Sequence, residues 1–210
     1  MASAPAAEAN GFEPLVLRAP RGPVEARLYR ADPPQGAVIW VGGVGGGFDT
    51  PAKGLYPELA QRLATERIAS LRVRFRKPTL LEEAVHDVLA GAEYLTALGA
   101  DHLVLVGHSL GGAVVLRAAA LAERVRAVVA LAPQAYGSEP AALLGKRVAV
   151  LLVHGLADKI LSPQCARTID RMLTGPKRLV LVPDAGHVLD EAADLVRREV
   201  ADWILAAVRA

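Results

Sequence analysis

Short runs of Val, Leu and Ile alternate along this chain with longer segments whose apolar residues recur every three or four positions. That alternation excludes most architectures. A continuous apolar run of roughly four to eight residues reads as a strand covered on both faces, and a period near about 3.6 reads as an amphipathic helix. Strands and helices in alternation bury their apolar surfaces best as a mostly parallel sheet with helices on both faces, the α/β class.

The strand-like runs are Leu15–Arg18, Val24–Tyr29, Ala37–Val41, Ser70–Phe75, Leu103–Val106, Ala127–Leu131, Val148–Val153 and Arg178–Val182. Only a short link, Pro20 to Pro23, separates the first two, which predicts an antiparallel hairpin. Between the later runs lie helical stripes: Leu55, Leu59 and Leu63; then Leu81, Val85, Val88, Leu89, Ala92 and Leu95; finally Leu195, Val196, Val200, Trp203 and Ile204. Thr79 to Glu82, after Pro78, has the form of a capping box for the second of these helices.

With 210 residues, no internal repeat and no dividing linker, one domain is expected over 13–210. Residues 1–12 read as a loose Ala-rich tail without the basic start and apolar centre of a signal peptide. Hydrophobic residues make up 52% of the chain, yet no run reaches the roughly 20 residues that cross a bilayer. That apolar content therefore belongs in the sheet, and with 4% aromatics the core must be built from Ala, Val and Leu. A formal charge of +2 without a block of like charge gives no reason to expect a nucleic-acid partner. Cys165 is the single cysteine, so no internal disulfide is needed and a cytoplasmic location is the default expectation. Oligomeric state is not legible.

The sharpest local signal is Leu103-Val104-Leu105-Val106-Gly107-His108-Ser109-Leu110-Gly111-Gly112, followed by the helix-like Ala113-Val114-Val115-Leu116. An apolar strand running through G-x-S-x-G into a helix is the context of a nucleophile elbow. The glycines let strand and helix approach closely, the tight turn exposes the serine hydroxyl, and the helix start offers N–H donors to a developing oxyanion. A serine needs a base and a carboxylate. Downstream, Val150-Leu151-Leu152-Val153-His154-Gly155 is followed by Asp158, and Leu179-Val180-Leu181-Val182-Pro183 leads to Asp184-Ala185-Gly186-His187. Each candidate lies just past the C-terminal end of a strand, where open α/β sheets put their sites. Ser109, Asp158 and His187 are therefore the expected triad, with Asp184 a lesser candidate for the acid. Of the other histidines, His86 belongs to a solvated helix face, His102 precedes a strand at the far end, His108 cannot reach round to Ser109, and a structural hydrogen bond suits His154.

These residues make the chain resemble the α/β-hydrolase superfamily, and within it the dienelactone-hydrolase-like group. The likeness runs from about Leu15 to the C-terminus, with the elbow after the fifth strand-like run, the acid after the seventh and the histidine after the eighth. It implies an eight-stranded sheet, acyl-transfer chemistry and no cofactor or metal. Dienelactone hydrolase itself uses a cysteine nucleophile; here the elbow carries Ser109 and Cys165 lies in a later helical segment, so that family's substrate does not transfer. The resemblance also puts the second oxyanion donor in the loop Val41-Gly42-Gly43-Val44-Gly45-Gly46-Gly47-Phe48-Asp49. Matching Gly42-Gly43 to the family's His-Gly pair selects the amide of Val44, within a residue or so, beside the firmer donor Leu110. The loop lacks the Lys-Ser/Thr and the immediate helix of a phosphate-binding loop.

The expected activity is cleavage of a small ester-like acyl bond. A thioesterase, a peptidase, a carbon–carbon bond hydrolase, or a binding protein retaining the fold would share the same motifs. Gly43, Phe48, His108, Gln134 and Tyr136 are the candidate pocket residues. Arg72, Arg74 and Arg76 share one strand face, as ion-paired surface arginines or, for Arg76, as a binder of a substrate carboxylate. The segment from Gln134 to Arg147 holds a short helical turn near Ala141–Leu144 and not a folded cap, so the pocket should be shallow and open.

Overall fold

The computed structural model describes residues 11–210. Its strands are β1 (Glu13–Ala19), β2 (Gly22–Tyr29), β3 (Gly36–Val41), β4 (Ile68–Val73), β5 (Leu103–His108), β6 (Val125–Leu131), β7 (Ala149–Gly155) and β8 (Lys177–Val182). They form one eight-stranded sheet in the order β1-β2-β4-β3-β5-β6-β7-β8. β1 and β2 make the expected hairpin, β2 is antiparallel to β4, and every later pairing is parallel.

The helices are α1 (Leu55–Thr65), α2 (Leu81–Ala97), α3 (Leu110–Leu121), α4 (Gln164–Met172) and α5 (Ala193–Arg209). Because side chains alternate along a strand, each apolar run feeds two cores. Val38, Trp40, Val104, Val106, Leu151 and Val153 face α1 and α5, where Leu55, Leu59, Leu63, Val196, Val200 and Ile204 meet them. Ile39, Leu103, Leu105, Val150 and Leu152 face the other way, toward Val85, Val88, Val114, Val115 and Ile169 of α2, α3 and α4. Both faces of the central strands are thus dry, which is why these strands are continuously apolar and not alternating. Among the described residues no helix is long and apolar enough to cross a membrane.

Three local expectations fail. The fourth strand ends at Val73, not Phe75, because the chain turns away there: the Arg76 amide bonds Asp87 Oδ2 at 2.8 Å on α2. The capping box does not form. Helix α2 starts at Leu81 with Leu80 at its N-cap and no side-chain cap, since the Lys77–Leu80 turn moves the start past Thr79. Of the expected tail, residues 1–10 lie outside the described residues, and Phe12 is not loose: its ring lies 5.8 Å from that of Tyr29 and beneath the Arg27 guanidinium at 4.7 Å.

Candidate active site

The elbow is built by close approach. A side chain at Gly107 would run into the Gly111 carbonyl, so only glycine lets β5 turn directly into α3. Ser109 sits at the turn with φ 57 and ψ −119, a backbone region costly for a residue with a side chain. The surroundings hold it there: its amide bonds Leu131 O at 2.9 Å, and its carbonyl accepts from Gly112 N at 3.0 Å and Gln134 N at 3.3 Å. Leu110 opens α3, so its amide is one of the first-turn donors without an intrahelical acceptor. The loop after β3 comes to the same place. A methyl group at Gly43 would stand 3.3 Å from Ser109 Cβ and 3.7 Å from its Oγ, and the turn carrying Val44 is closed by Gly46 N donating to Gly43 O at 3.3 Å.

The two downstream loops converge on that end of the sheet. Asp158 follows β7 with its carboxylate out of solvent contact; Oδ1 accepts from the amides of Ile160 at 2.8 Å and Leu161 at 2.9 Å. Its Oδ2 accepts from His187 Nδ1 at 2.8 Å. With Nδ1 as donor, the His187 Nε2 keeps a lone pair able to take a proton. Burial pushes the Asp158 carboxyl up, but the bonds from His187, Leu161 and Ile160 outweigh it and hold the group below the usual carboxylate range. Asp184 is exposed, at φ 57, and makes no hydrogen bond with His187, whose carboxylate partner is Asp158.

Ser109 and His187 line one cleft of about 320 Å³, together with Gly43–Gly45, Asp49–Pro51, His108 and Val188. Of the candidate residues Gly43, Val44 and His108 border this cleft, and Phe48, Gln134 and Tyr136 do not. Phe48 turns the other way, its ring under the guanidinium groups of Arg27 at 4.0 Å and Arg72 at 5.7 Å. Gln134 folds back to donate from Nε2 to Tyr136 O at 2.8 Å, and Tyr136, 80% exposed, borders a separate depression with Leu80 and Arg117. Asp49, Thr50 and Pro51 take their places, with Val188 of the His187 loop; for the first three the signal in the sequence is adjacency to the Gly-rich loop.

The arginine row also divides. Arg72 is buried and donates to Phe48 O, so it is neither exposed nor ion-paired. Arg74 pairs with Glu25 at 2.8 Å. Arg76 is held by Asp87 and Glu83 and by the Arg21 carbonyl, so every guanidinium nitrogen already has an acceptor and its charge is balanced within the protein. Among the described residues no Lys or Arg lines the Ser109 cleft, and Asp49 brings a carboxylate to it. Among the described residues no group of three or more His, Cys, Asp and Glu could hold a metal ion.

Two further imidazoles crowd the site. His108 Nε2 lies 2.9 Å from His187 O, and burial takes the His108 ring down to about 4, against the pull of that bond. His154 ends its strand fully buried, as a hydrogen-bonding residue, with Nε2 3.0 Å from Leu161 O and 3.1 Å from Asp158 Oδ2.

Residues 74–149 match a family model described as the alpha/beta hydrolase fold. The uncharacterized protein YfhR of Escherichia coli (strain K12) is 29% identical over 133 residues, 51% of this chain and 47% of that protein, so the match spans about half the length of this curated relative. An esterase domain from a Rhodothermus marinus protein superposes with a TM-score of 0.76 at 20% identity, over 94% of this chain and 99% of its own. The dienelactone hydrolase of Anabaena variabilis gives 0.77 at 17% identity, over 93% and 97%. At these identities the likeness shows the fold: the chain has the α/β-hydrolase fold.

Proposed function

We propose that this chain is a serine hydrolase that cleaves small carboxylic esters through an acyl-enzyme, with Ser109, His187 and Asp158 as its triad. The observation that carries the reading is the 2.8 Å bond from His187 Nδ1 to Asp158 Oδ2, made by a histidine that borders the Ser109 cleft. In this reading His187 Nε2 takes the Ser109 proton as Oγ attacks the carbonyl carbon, and returns it to the leaving alkoxide. Water then attacks the acyl-enzyme with the same base. Asp158, held ionised, orients His187 and stabilises its charged form. The amides of Leu110 and Val44 receive the oxyanion; one such donor contributes about 10²–10³ in rate in a dry site.

The cleft also bears on the substrate. An ester carrying a carboxylate would meet Asp49 and no cation, so neutral or cationic small esters fit better. The esterase domain and the dienelactone hydrolase among the similar structures support acyl-oxygen chemistry as the class. The test is labelling by a fluorophosphonate probe, with ester, thioester and amide substrates of matched acyl group. Labelling at Ser109 with ester turnover supports the reading. Preference for the thioester or amide moves the chain to a thioesterase or peptidase, and no labelling at all leaves a binding protein on this fold.

A further inference from the structure

His154 is a fully buried titratable group that the proposed mechanism does not use. It sits at the end of β7, four residues before Asp158, with no side-chain exposure. Its Nε2 faces two acceptors, Leu161 O at 3.0 Å and Asp158 Oδ2 at 3.1 Å. A lone pair at Nε2 would be repelled by both oxygens, so Nε2 carries the proton. The other nitrogen, Nδ1, is buried and has no hydrogen-bond partner among the described residues. A doubly protonated ring would strand an N–H there, so the ring is neutral, and burial pushes it the same way. Even the neutral ring leaves one nitrogen unsatisfied, a cost that an apolar side chain would avoid. What it supplies in return is one N–H at Nε2.

We infer that His154 is a positioning residue for the acid of the proposed triad, sharing its one Nε2–H between Leu161 O and Asp158 Oδ2, the same oxygen that receives His187 Nδ1–H. The inference rests on the triad reading. Oδ1 is already tied by the Ile160 and Leu161 amides, so the bond from His154 completes the set that stops the carboxylate rotating about its own axis. Sharing Oδ2 between two donors also divides the carboxylate's charge between His187 and His154. The titratable groups around His187 are Asp158, His108 and His154, with Asp49 across the cleft; Glu191 is tied to the Gly186 amide in the same loop.

The test compares His154→Gln with His154→Asn. The Gln amide nitrogen falls where Nε2 stands, and the Asn amide stops at the position of Nδ1. The readout is the pH profile of kcat/KM and kcat on p-nitrophenyl acetate. In His154→Asn we expect kcat to fall roughly tenfold, the worth of one charge-assisted hydrogen bond. The profile's inflection should rise by about half a pH unit, because Oδ2 then serves His187 alone. His154→Gln should recover both. A role confined to packing or to tying Leu161 predicts that the two variants lose stability without moving the inflection, and that result would overturn the inference. The wild-type protein gives a second reading through imidazole ¹H–¹⁵N correlation: His154 must appear as the neutral Nε2–H tautomer, and an Nδ1–H tautomer overturns the inference whatever the variants do. Fluorophosphonate labelling of the wild type reports separately on Ser109, so loss of the triad reading and loss of this one are distinguishable.

Discussion

His108 and His187 lie face to tilted face, their ring centroids 4.8 Å apart and their planes at 49°, and His108 Nε2 reaches the His187 carbonyl at 2.9 Å. The residue before Ser109 therefore braces the loop that carries His187. It does so as a neutral donor, which has consequences for stability.

Burial lowers the His108 ring from 6.5 to about 4. The sign follows from linkage: between those values the unfolded chain binds a proton that the folded chain refuses, so stability falls as pH falls across that window and is unaffected above it. Asp158 adds a loss at more acid pH, since its depressed carboxyl stabilises the fold only while ionised. Unfolding free energies from urea titrations between pH 7 and pH 4.5 should fall with a slope of at most about 1.4 kcal/mol per pH unit for a group such as His108. His108→Gln should flatten the profile; an unchanged slope would show that the ring protonates freely in the folded state.

Ser109→Ala should abolish turnover and fluorophosphonate labelling while leaving the circular dichroism spectrum unchanged. Ser109→Gly should be equally inactive but more stable than Ser109→Ala by roughly 1 kcal/mol, because glycine adopts a positive φ without strain. Thermal melts of the two variants measure the difference directly.

Asp158→Asn should lose activity steeply, since the amide favours the wrong imidazole tautomer; in serine proteases such a change costs about 10⁴-fold. Asp184→Asn should change kcat little, because Asp184 is exposed and does not bond His187. The reverse ranking would move the acid from one loop to the other.

Asp49→Asn should raise kcat/KM for a carboxylate-bearing ester and lower it for a cationic one, by roughly threefold each at low salt, and leave a neutral isostere unaltered. Equal effects on all three esters would mean that Asp49 acts on the loop and not on the substrate's charge.

Chain length probes the enclosure. Between β6 and β7 the chain forms only a short 3-10 turn, Glu139–Leu143, and the Ser109 cleft holds about 320 Å³. Each methylene that finds cover adds about 0.8 kcal/mol, so in p-nitrophenyl esters from acetate to palmitate the gain in kcat/KM should stop at short acyl chains. A maximum at long chains would require a hydrophobic cover, such as one supplied by a second subunit.

Eight strands, the hairpin, the elbow and the order of Ser109, Asp158 and His187 were all legible in the residue pattern. Each is a local property: a run of Val and Leu covered on both faces, a two-residue turn, glycines where strand meets helix. Helix α2 shows where that legibility ends, since its capping box was present in sequence and a turn at Lys77 to Leu80 moved the start beyond it.

Side-chain facing in the irregular loops was decided only by the tertiary structure. Phe48 and Asp49 are neighbours in one loop, yet Phe48 turns to Arg27 and Arg72 while Asp49 borders the cleft. No periodicity governs such a segment, so the partners waiting on β2 and β4 choose which residue faces which way. In the same manner, His154 reads in sequence as the last residue of a strand, and only the fold of the loop after β7 brings Asp158 Oδ2 to its Nε2. The residue pattern sets the sheet, the chain order of Ser109, Asp158 and His187 and the end of the sheet where they gather, because hydrophobic period and turn chemistry are written locally. The cleft's lining and charge, and the approach of a second histidine to Asp158, belong to contacts between loops, which exist only once the strands have aligned them.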